Sequence, residues 1–367
     1  MNQKGNPRVS SMSKFFSSRL KQTEPYVPGE QPNETKVIKL NTNENPYPPS
    51  PEVQKAIQRA ANETLRLYPT PTLQELRQTI AKTYKVHQDQ VFIGNGSDEV
   101  LAFSFMAFFE PGEAIRFPDI TYSFYPVYAK LFNVDYKVVP VREDFSLPIE
   151  EFYHAEGGVI FPNPNAPTGR ALSLLEVESI VHQNPEKVVI IDEAYIDFGS
   201  DTAVQLVNQY ENLLVIQTLS KSRSLAGLRV GYAIGDKQLI EGLNRIKNSF
   251  NSYTIDRLAI AGAKAAFEDG DYFEEIRAKI IETREQTAKS LDNLGFEVVE
   301  SKANFLLVSH SQVDAEELYN QLKEQKIYIR YFKKPRIQHY VRITIGKPEE
   351  MERLLEAIKK HIPKVTK

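Results

Sequence analysis

Between residues 91 and 234 the chain alternates short, largely apolar runs with longer stretches whose apolar positions recur at helical spacing. The runs 91–93, 114–117, 136–139, 159–161, 188–191, 213–216 and 230–234 read as strands, and the continuous apolarity of all but 114–117 and 136–139, which carry Arg116 and Lys137, marks strands buried on both faces. The stretches 97–109, 123–131 and 173–183 read as covering helices. Local chemistry predicts where helices start. Ser50 with Pro51 opens a helix towards Leu65, Thr72 and Glu75 have capping-box spacing ahead of Leu76 and Ile80, and Ser173 with Glu176 repeats that signature. The expected fold class is α/β, a mainly parallel sheet sandwiched by helices.

The rhythm changes after Tyr253. One long helical stretch to about 294 precedes short strands at 296–299, 305–308, 327–330 and 340–345, a helix at 314–325 and a last helix from Pro348. This reads as a smaller α+β unit. The expected division is an N-terminal arm and extended segment at 1–50, a large domain at 51–254 and a small C-terminal domain at 255–367. The proline-dense segment 38–49 is too broken for a regular element, so it is expected to be extended, pinned by contacts and sharing the small domain's core. Residues before Glu24 are polar, with a second possible start at Met12, and are expected to form a flexible arm.

Composition narrows the function classes. At 367 residues, with 41% hydrophobic and 25% charged residues, the chain matches a soluble globular enzyme with ample core. A net charge of -3 argues against a nucleic-acid partner. The absence of cysteine removes disulfides, thiolate zinc sites and cysteine nucleophiles together, and points to a reducing compartment. No apolar run approaches the roughly 20 residues of a membrane helix, and the N-terminus lacks a signal-peptide core. A cytoplasmic location without a membrane partner is expected.

The candidate chemistry lies at strand ends, where open parallel sheets take their ligands. Gly94-Asn95-Gly96-Ser97-Asp98-Glu99 joins a strand to a helix N-terminus, whose free amides and dipole suit an anion such as a phosphate. Asp192-Glu193-Ala194-Tyr195 ends the run 188–191. Lys221 follows the run 213–216, and Arg229 stands just before the run 230–234. Between them lies Asn163-Pro164-Asn165-Ala166-Pro167-Thr168-Gly169, a loop with a constrained backbone. Each feature alone has a plainer reading: Ser97 or Asp98 as a helix cap, Asp192 as the cap of a turn, Lys221 and Arg229 as surface cations, and 163–169 as a connector.

In this order, the set resembles the fold-type I pyridoxal 5′-phosphate aminotransferases over nearly the whole chain. Leu-Asn-Thr-Asn-Glu-Asn-Pro at 40–46, Gly-Ser-Asp-Glu at 96–99, Asp-Glu-Ala-Tyr at 192–195, and Ser220-Lys221 with Ala-Gly-Leu-Arg at 226–229 look like the histidinol-phosphate aminotransferase family and its close relatives. The resemblance implies a seven-stranded sheet, pyridoxal 5′-phosphate as cofactor, no metal, and a role for each residue. Lys221 would hold the cofactor and move the proton, Asp192 would pair with the ring nitrogen, and Tyr195 would hydrogen-bond the ring oxygen. Ser97, Asp98, Ser220 and Arg229 would bind the cofactor phosphate, and Tyr122 would stack on the ring, although outside the family pattern Tyr122 reads as a half-buried core aromatic. Relatives carry an asparagine immediately before Pro-Thr-Gly, where this chain has Ala166; Asn165 is the candidate to take its place.

For the substrate, the resemblance points to Arg330 and Arg342 as anion binders, with Tyr26 and Asn43 closing over it. Tyr68 would reach the neighbouring subunit's cofactor phosphate, which implies a homodimer with shared active sites. The implied reaction is transamination between L-histidinol phosphate and 2-oxoglutarate, giving imidazole-acetol phosphate and L-glutamate in histidine biosynthesis. An aromatic amino-acid aminotransferase or a threonine-phosphate decarboxylase would use the same cofactor residues. A regulator of the same fold without turnover has little use for the complete Lys221, Asp192 and Arg229 set.

Overall fold

The computed structural model describes residues 13–34 and 36–362. Its centre is a seven-stranded sheet in the order Val91–Asn95, Val230–Gly235, Leu213–Thr218, Val189–Asp192, Val159–Pro162, Ile115–Pro118, Tyr136–Val139. Pairing is parallel throughout except at Val230–Gly235, which runs antiparallel to both neighbours. The reason is local. A parallel return needs a crossover of a dozen or more residues, usually helical, whereas the connection 219–229 holds only the 3-10 turn Ala226–Leu228. Doubling back this way brings both ends of the connection, Lys221 and Arg229, to one edge of the sheet. The ends of Val91–Asn95 and Val189–Asp192 lie at the same edge.

Successive residues of each strand feed opposite layers, as a period of two requires. Val159, Phe161, Ile191 and Val215 join one core with Leu76, Ile80, Val177 and Ala263, while Ile160, Ile190, Leu214 and Ile216 join the other with Phe103, Phe105, Ala129 and Leu243. Both faces are therefore covered by helices.

Ser50 and Ser173 cap their helices as expected, Ser173 within a full capping box with Glu176. Thr72 does not. The helix Gln74–Tyr84 begins two residues later, after Leu73 in the left-handed conformation at φ 49°, and the Thr72 hydroxyl bonds Thr70 instead. Burial of the Leu73 side chain outweighs the cap. The expected long helix after Tyr253 is two, Arg257–Glu268 and Gly270–Asn293, broken at Asp269, whose side chain accepts from the Tyr272 amide. The break serves two cores. Ala259, Ala263 and Phe267 pack into the large sheet's core, whereas Ile276, Ile280 and Leu291 pack into a second one.

That second core lies on a four-stranded antiparallel sheet in the order Arg330–Tyr331, Tyr340–Thr344, Phe305–His310, Phe296–Val298. The run expected as one strand at 327–330 is split: Ile327–Tyr328 pairs in parallel with Ile38–Lys39, and only Arg330–Tyr331 joins the small sheet. Ile38 and Leu40 are buried in the small core, so the proline-dense segment is pinned there as expected. Of the arm expected to be flexible, residues up to Met12 lie outside the described residues, and Ser18–Gln22 form a short helix capped by Ser17. No helix among the described residues is long and apolar enough to cross a membrane.

Candidate active site

A cavity of about 250 Å³ opens at the sheet edge where these strands end, and the small sheet closes its far side. Lining it are Lys221, Ser97, Asp98, Tyr122, Asp192, Tyr195, Ser220, Arg229, Tyr26, Asn43, Arg330 and Arg342. Residues spread over more than 300 positions of sequence thus converge on one space.

At the floor, Asp192 is 5% exposed, accepts from the Tyr125 hydroxyl at 3.0 Å and from the Ala194 amide at 3.2 Å. Burial pushes its pKa up to about 6 against the pull of these two donors. A buried carboxylate so placed is stabilised by a nearby cation. Behind it, Glu193 takes the Ala203 amide and the Gln217 carboxamide, both at 2.7 Å, which ties the ends of the two strands that carry Asp192 and Lys221. Lys221 is half-buried, with Nζ 3.4 Å from the Thr42 carbonyl and 5.7 Å from the centre of the Tyr195 ring. Its loop is held by Asn45, whose carboxamide donates to the carbonyls of Lys221 at 2.9 Å and Ser222 at 3.2 Å.

One wall is an anion cradle. The helix Gly96–Phe108 points its N-terminus, with Ser97 and Asp98, into the cavity beside Arg229. Arg229 pairs with Asp98 at 3.3 Å, a long and half-exposed contact worth little on its own, so the guanidinium remains available to a ligand. Tyr122 donates to the other Asp98 oxygen at 2.8 Å. Two glycines make the cradle possible. Gly96 has φ +77°, and a Cβ there would strike the Arg229 guanidinium. Across the ladder, a Cβ on Gly231 would overlap the Ser97 amide nitrogen and the Gly96 carbonyl carbon, both backbone atoms. Gly231→Ala is therefore expected to destabilise the fold by about 1–3 kcal/mol and to weaken phosphate binding. Urea midpoints and equilibrium dialysis with pyridoxal phosphate check this; a variant unchanged in both would contradict the cradle.

The opposite wall is cationic. Arg342 stands across from Arg330 in the small sheet and reaches the Asn41 carbonyl at 3.0 Å. Its Nε is buried without a partner, and burial pushes its pKa down to about 10, still cationic at neutral pH. Neither arginine has a carboxylate partner among the described residues. Over this wall runs the N-terminal segment, with Tyr26 stacked on Phe124 at 4.2 Å and Glu30 paired with Lys323 at 2.8 Å.

Asn165 and Tyr68 lie off the cavity's lining, and Asn43 faces it with its carboxamide already engaged. Asn165 is fully buried beneath the cavity and does not replace the missing asparagine. Its carboxamide donates to the Ile120 carbonyl at 2.9 Å and to Thr168 at 3.0 Å, and accepts from Thr121 at 3.1 Å, which makes it a staple of its own loop. Ala166 and Pro167 line the cavity in its place. Asn43 lines the cavity, but its carboxamide is committed to Thr344 and Tyr195. Tyr68 is 78% exposed and stacks on Tyr253 at 4.6 Å, away from this chain's cavity. Sequence reasoning missed Asn45, although it sits within the 40–46 motif, and Tyr125, which looks like any apolar position of its helix.

The residues present fit pyridoxal phosphate. A buried carboxylate short of a cation, a helix N-terminus with an arginine, a lysine between them and a phenol facing the same space are the complements of its ring nitrogen, phosphate, aldehyde carbon and ring oxygen.

Comparison with known proteins agrees with this geometry. The family model described as "Aminotransferase class I and II" matches residues 35–358. Histidinol-phosphate aminotransferase 1 of Oceanobacillus iheyensis is 60% identical over 95% of this chain and 98% of its own length. The histidinol-phosphate aminotransferase of Clostridium acetobutylicum is 56% identical over 96% of this chain and 100% of its own. Among solved structures, histidinol-phosphate aminotransferase from Sinorhizobium meliloti in complex with pyridoxal-5′-phosphate superposes with a TM-score of 0.87 over 97% of this chain and 99% of that one, at 23% identity, a likeness of fold. The chain belongs to the class I and II aminotransferase family.

Proposed function

We propose that this chain transfers the amino group of L-histidinol phosphate to 2-oxoglutarate, giving imidazole-acetol phosphate and L-glutamate, a step of histidine biosynthesis, with pyridoxal 5′-phosphate as cofactor. The observation that carries this reading is the pair of arginines without carboxylate partners, Arg330 and Arg342, facing Lys221 across one cavity. The identity with histidinol-phosphate aminotransferases supports it.

Bound pyridoxal phosphate supplies an electron sink for negative charge developing at the substrate's Cα. The chain's own residues do the rest. Ser97, Asp98 and Ser220 offer amides and a hydroxyl to the cofactor phosphate, and Arg229 adds the one full charge. Asp192, raised by burial, would pair with the ring nitrogen, whose positive charge would favour the carboxylate form and which the carboxylate would hold protonated. Lys221 Nζ accepts the Cα proton as a base and delivers it again as an acid. Guanidinium groups suit both a phosphate and a carboxylate, so Arg330 and Arg342 serve the amino donor and the acceptor in one pocket. Tyr26 and the segment around it keep water from the reacting atoms.

We further assign a cytoplasmic homodimer with shared sites. Leu65, Leu67, Tyr68 and Tyr253 are exposed apolar side chains, the kind of surface a second copy covers. The boundary between the large and small domains is best placed after the helix Arg257–Glu268 rather than at 254, because that helix packs into the large sheet's core.

The test is a single half-reaction followed by the cofactor's absorption. L-histidinol phosphate is expected to convert the cofactor far faster than phenylalanine or threonine phosphate, and preference for phenylalanine would overturn the substrate assignment. In the same assay Arg342→Ala is expected to raise the substrate's apparent dissociation constant by about 100-fold, the loss typical of a buried charged hydrogen-bonding group. Affinity for pyridoxal phosphate should stay within about threefold; equal loss of both would make Arg342 structural.

A further inference from the structure

Asn43 stands where the two sheets meet, at φ 57°, a left-handed conformation that asparagine tolerates better than most residues. Only 2% of it is exposed. Its backbone amide donates to Thr344 Oγ1 at 3.0 Å, and Thr344 Oγ1 donates to Asn43 Oδ1 at 2.9 Å. Thr344 is 1% exposed and its hydroxyl has no acceptor but Asn43 Oδ1 among the described residues, so a flipped carboxamide would leave its proton buried and unpaired. Pairing every buried donor therefore puts the oxygen towards Thr344 and the nitrogen towards Tyr195. Asn304, fully buried, donates to the Asn43 carbonyl at 3.0 Å and fixes the backbone as well.

Nδ2 of Asn43 then donates to the Tyr195 hydroxyl oxygen at 2.9 Å. Tyr195 therefore cannot donate towards Asn43, and no other acceptor among the described residues takes its proton. The cavity is the direction left. The chain also lacks a second donor on this side, since Ala166 occupies the loop position and Asn165 is turned away. We propose that Asn43 is a positioning residue for Tyr195: its carboxamide, held by Thr344 of the small sheet on a backbone that Asn304 pins, directs the tyrosine proton at the cofactor's ring oxygen. The small sheet thereby sets the hydrogen bonding of a group in the large domain. This inference rests on pyridoxal phosphate being the cofactor.

The test compares the binding of pyridoxal phosphate with that of its 3-deoxy analogue, which lacks the ring oxygen, to cofactor-stripped full-length chain. Wild type, Tyr195→Phe, Asn43→Asp and the double variant are measured, with thermal unfolding of each. Aspartate keeps the size and the left-handed tolerance but only accepts, so Tyr195 turns its proton to the carboxylate. Tyr195→Phe and Asn43→Asp are each expected to shrink the preference for pyridoxal phosphate over the analogue by about five- to tenfold, as loss of one hydrogen bond would. In the double variant the second change is expected to add nothing. If Asn43→Asp leaves the preference intact, or shrinks it equally when Tyr195 is already phenylalanine, the proposal is overturned and Asn43 acts by charge or packing. Should Asn43→Asp fail to fold, Thr344→Val releases the carboxamide lock and is expected to shrink the preference in the same direction; an unchanged preference there overturns the proposal too. A wild-type chain that binds neither compound would instead remove the cofactor assignment itself.

Discussion

Lys221→Ala is expected to lower turnover by at least about 10⁴-fold, the upper range for losing a positioned acid–base group, with the fold intact. The loop around Lys221 is held through its backbone by Asn45, and the alanine variant keeps both of those hydrogen bonds. The other side chains near Nζ are poor substitutes: Tyr195 has its oxygen engaged by Asn43, and burial raises Tyr122, already donating to Asp98, well above the ordinary tyrosine range. The variant should still bind pyridoxal phosphate through Arg229 and the cradle, but release it on gel filtration. Steady-state transamination and thermal melting decide the matter. A variant within tenfold of wild type would show that Lys221 is not the proton-moving group.

Asp192→Asn comes next in size, with an expected loss of about 10³-fold or more in kcat, because the amide cannot hold the ring nitrogen protonated and the developing charge loses its sink. The same carboxylate makes a second, independent signature in the cofactor-free protein. Folding raises its pKa from 3.8 to about 6 by burial. The folded chain therefore holds this proton to higher pH than the unfolded chain, and the contribution of Asp192 to stability falls as pH rises between roughly 4 and 6, then levels off. Two units correspond to about 3 kcal/mol. Glu193, which burial pushes up to about 8, adds a decline of its own to both proteins, so urea unfolding of the cofactor-free protein at pH 4.5 and 7.5 should show a larger loss of stability in wild type than in Asp192→Asn. Identical slopes in the two proteins would mean that Asp192 is not desolvated as described.

The strands of the large sheet were legible because a strand buried on both faces must be apolar throughout, and 188–191 and 213–216 have no other reading. Lys221, Asp192 and Arg229 were legible because each polar residue interrupts or borders such a run. What escaped were features set by contacts far away in sequence. Leu73 overrides the Thr72 cap by burying its side chain, and Asp269 breaks a continuous helical pattern because its two halves serve different cores. Asn165 is a candidate in the sequence because it stands one residue before the position where relatives carry an asparagine, yet whether a loop carboxamide faces inward or outward depends on which carbonyls lie beneath it, here that of Ile120. Tyr125 donates to Asp192 from a position whose spacing promises only core.

The pairing of Ile38–Lys39 with Ile327–Tyr328, and of Asn43 with Thr344 across 301 residues, has a consequence for how the protein is made. On the ribosome, Asp192, Lys221 and Arg229 leave the exit tunnel while roughly a hundred residues are still to be added, several seconds of synthesis at ordinary rates. The phosphate cradle is complete in that nascent chain, whereas Arg330, Arg342 and the Thr344 lock are not yet translated. Synthesis thus orders assembly, the cofactor residues before the substrate arginines, and a message truncated between codons 230 and 330 yields a chain that has the cradle and the lysine but neither arginine for a substrate.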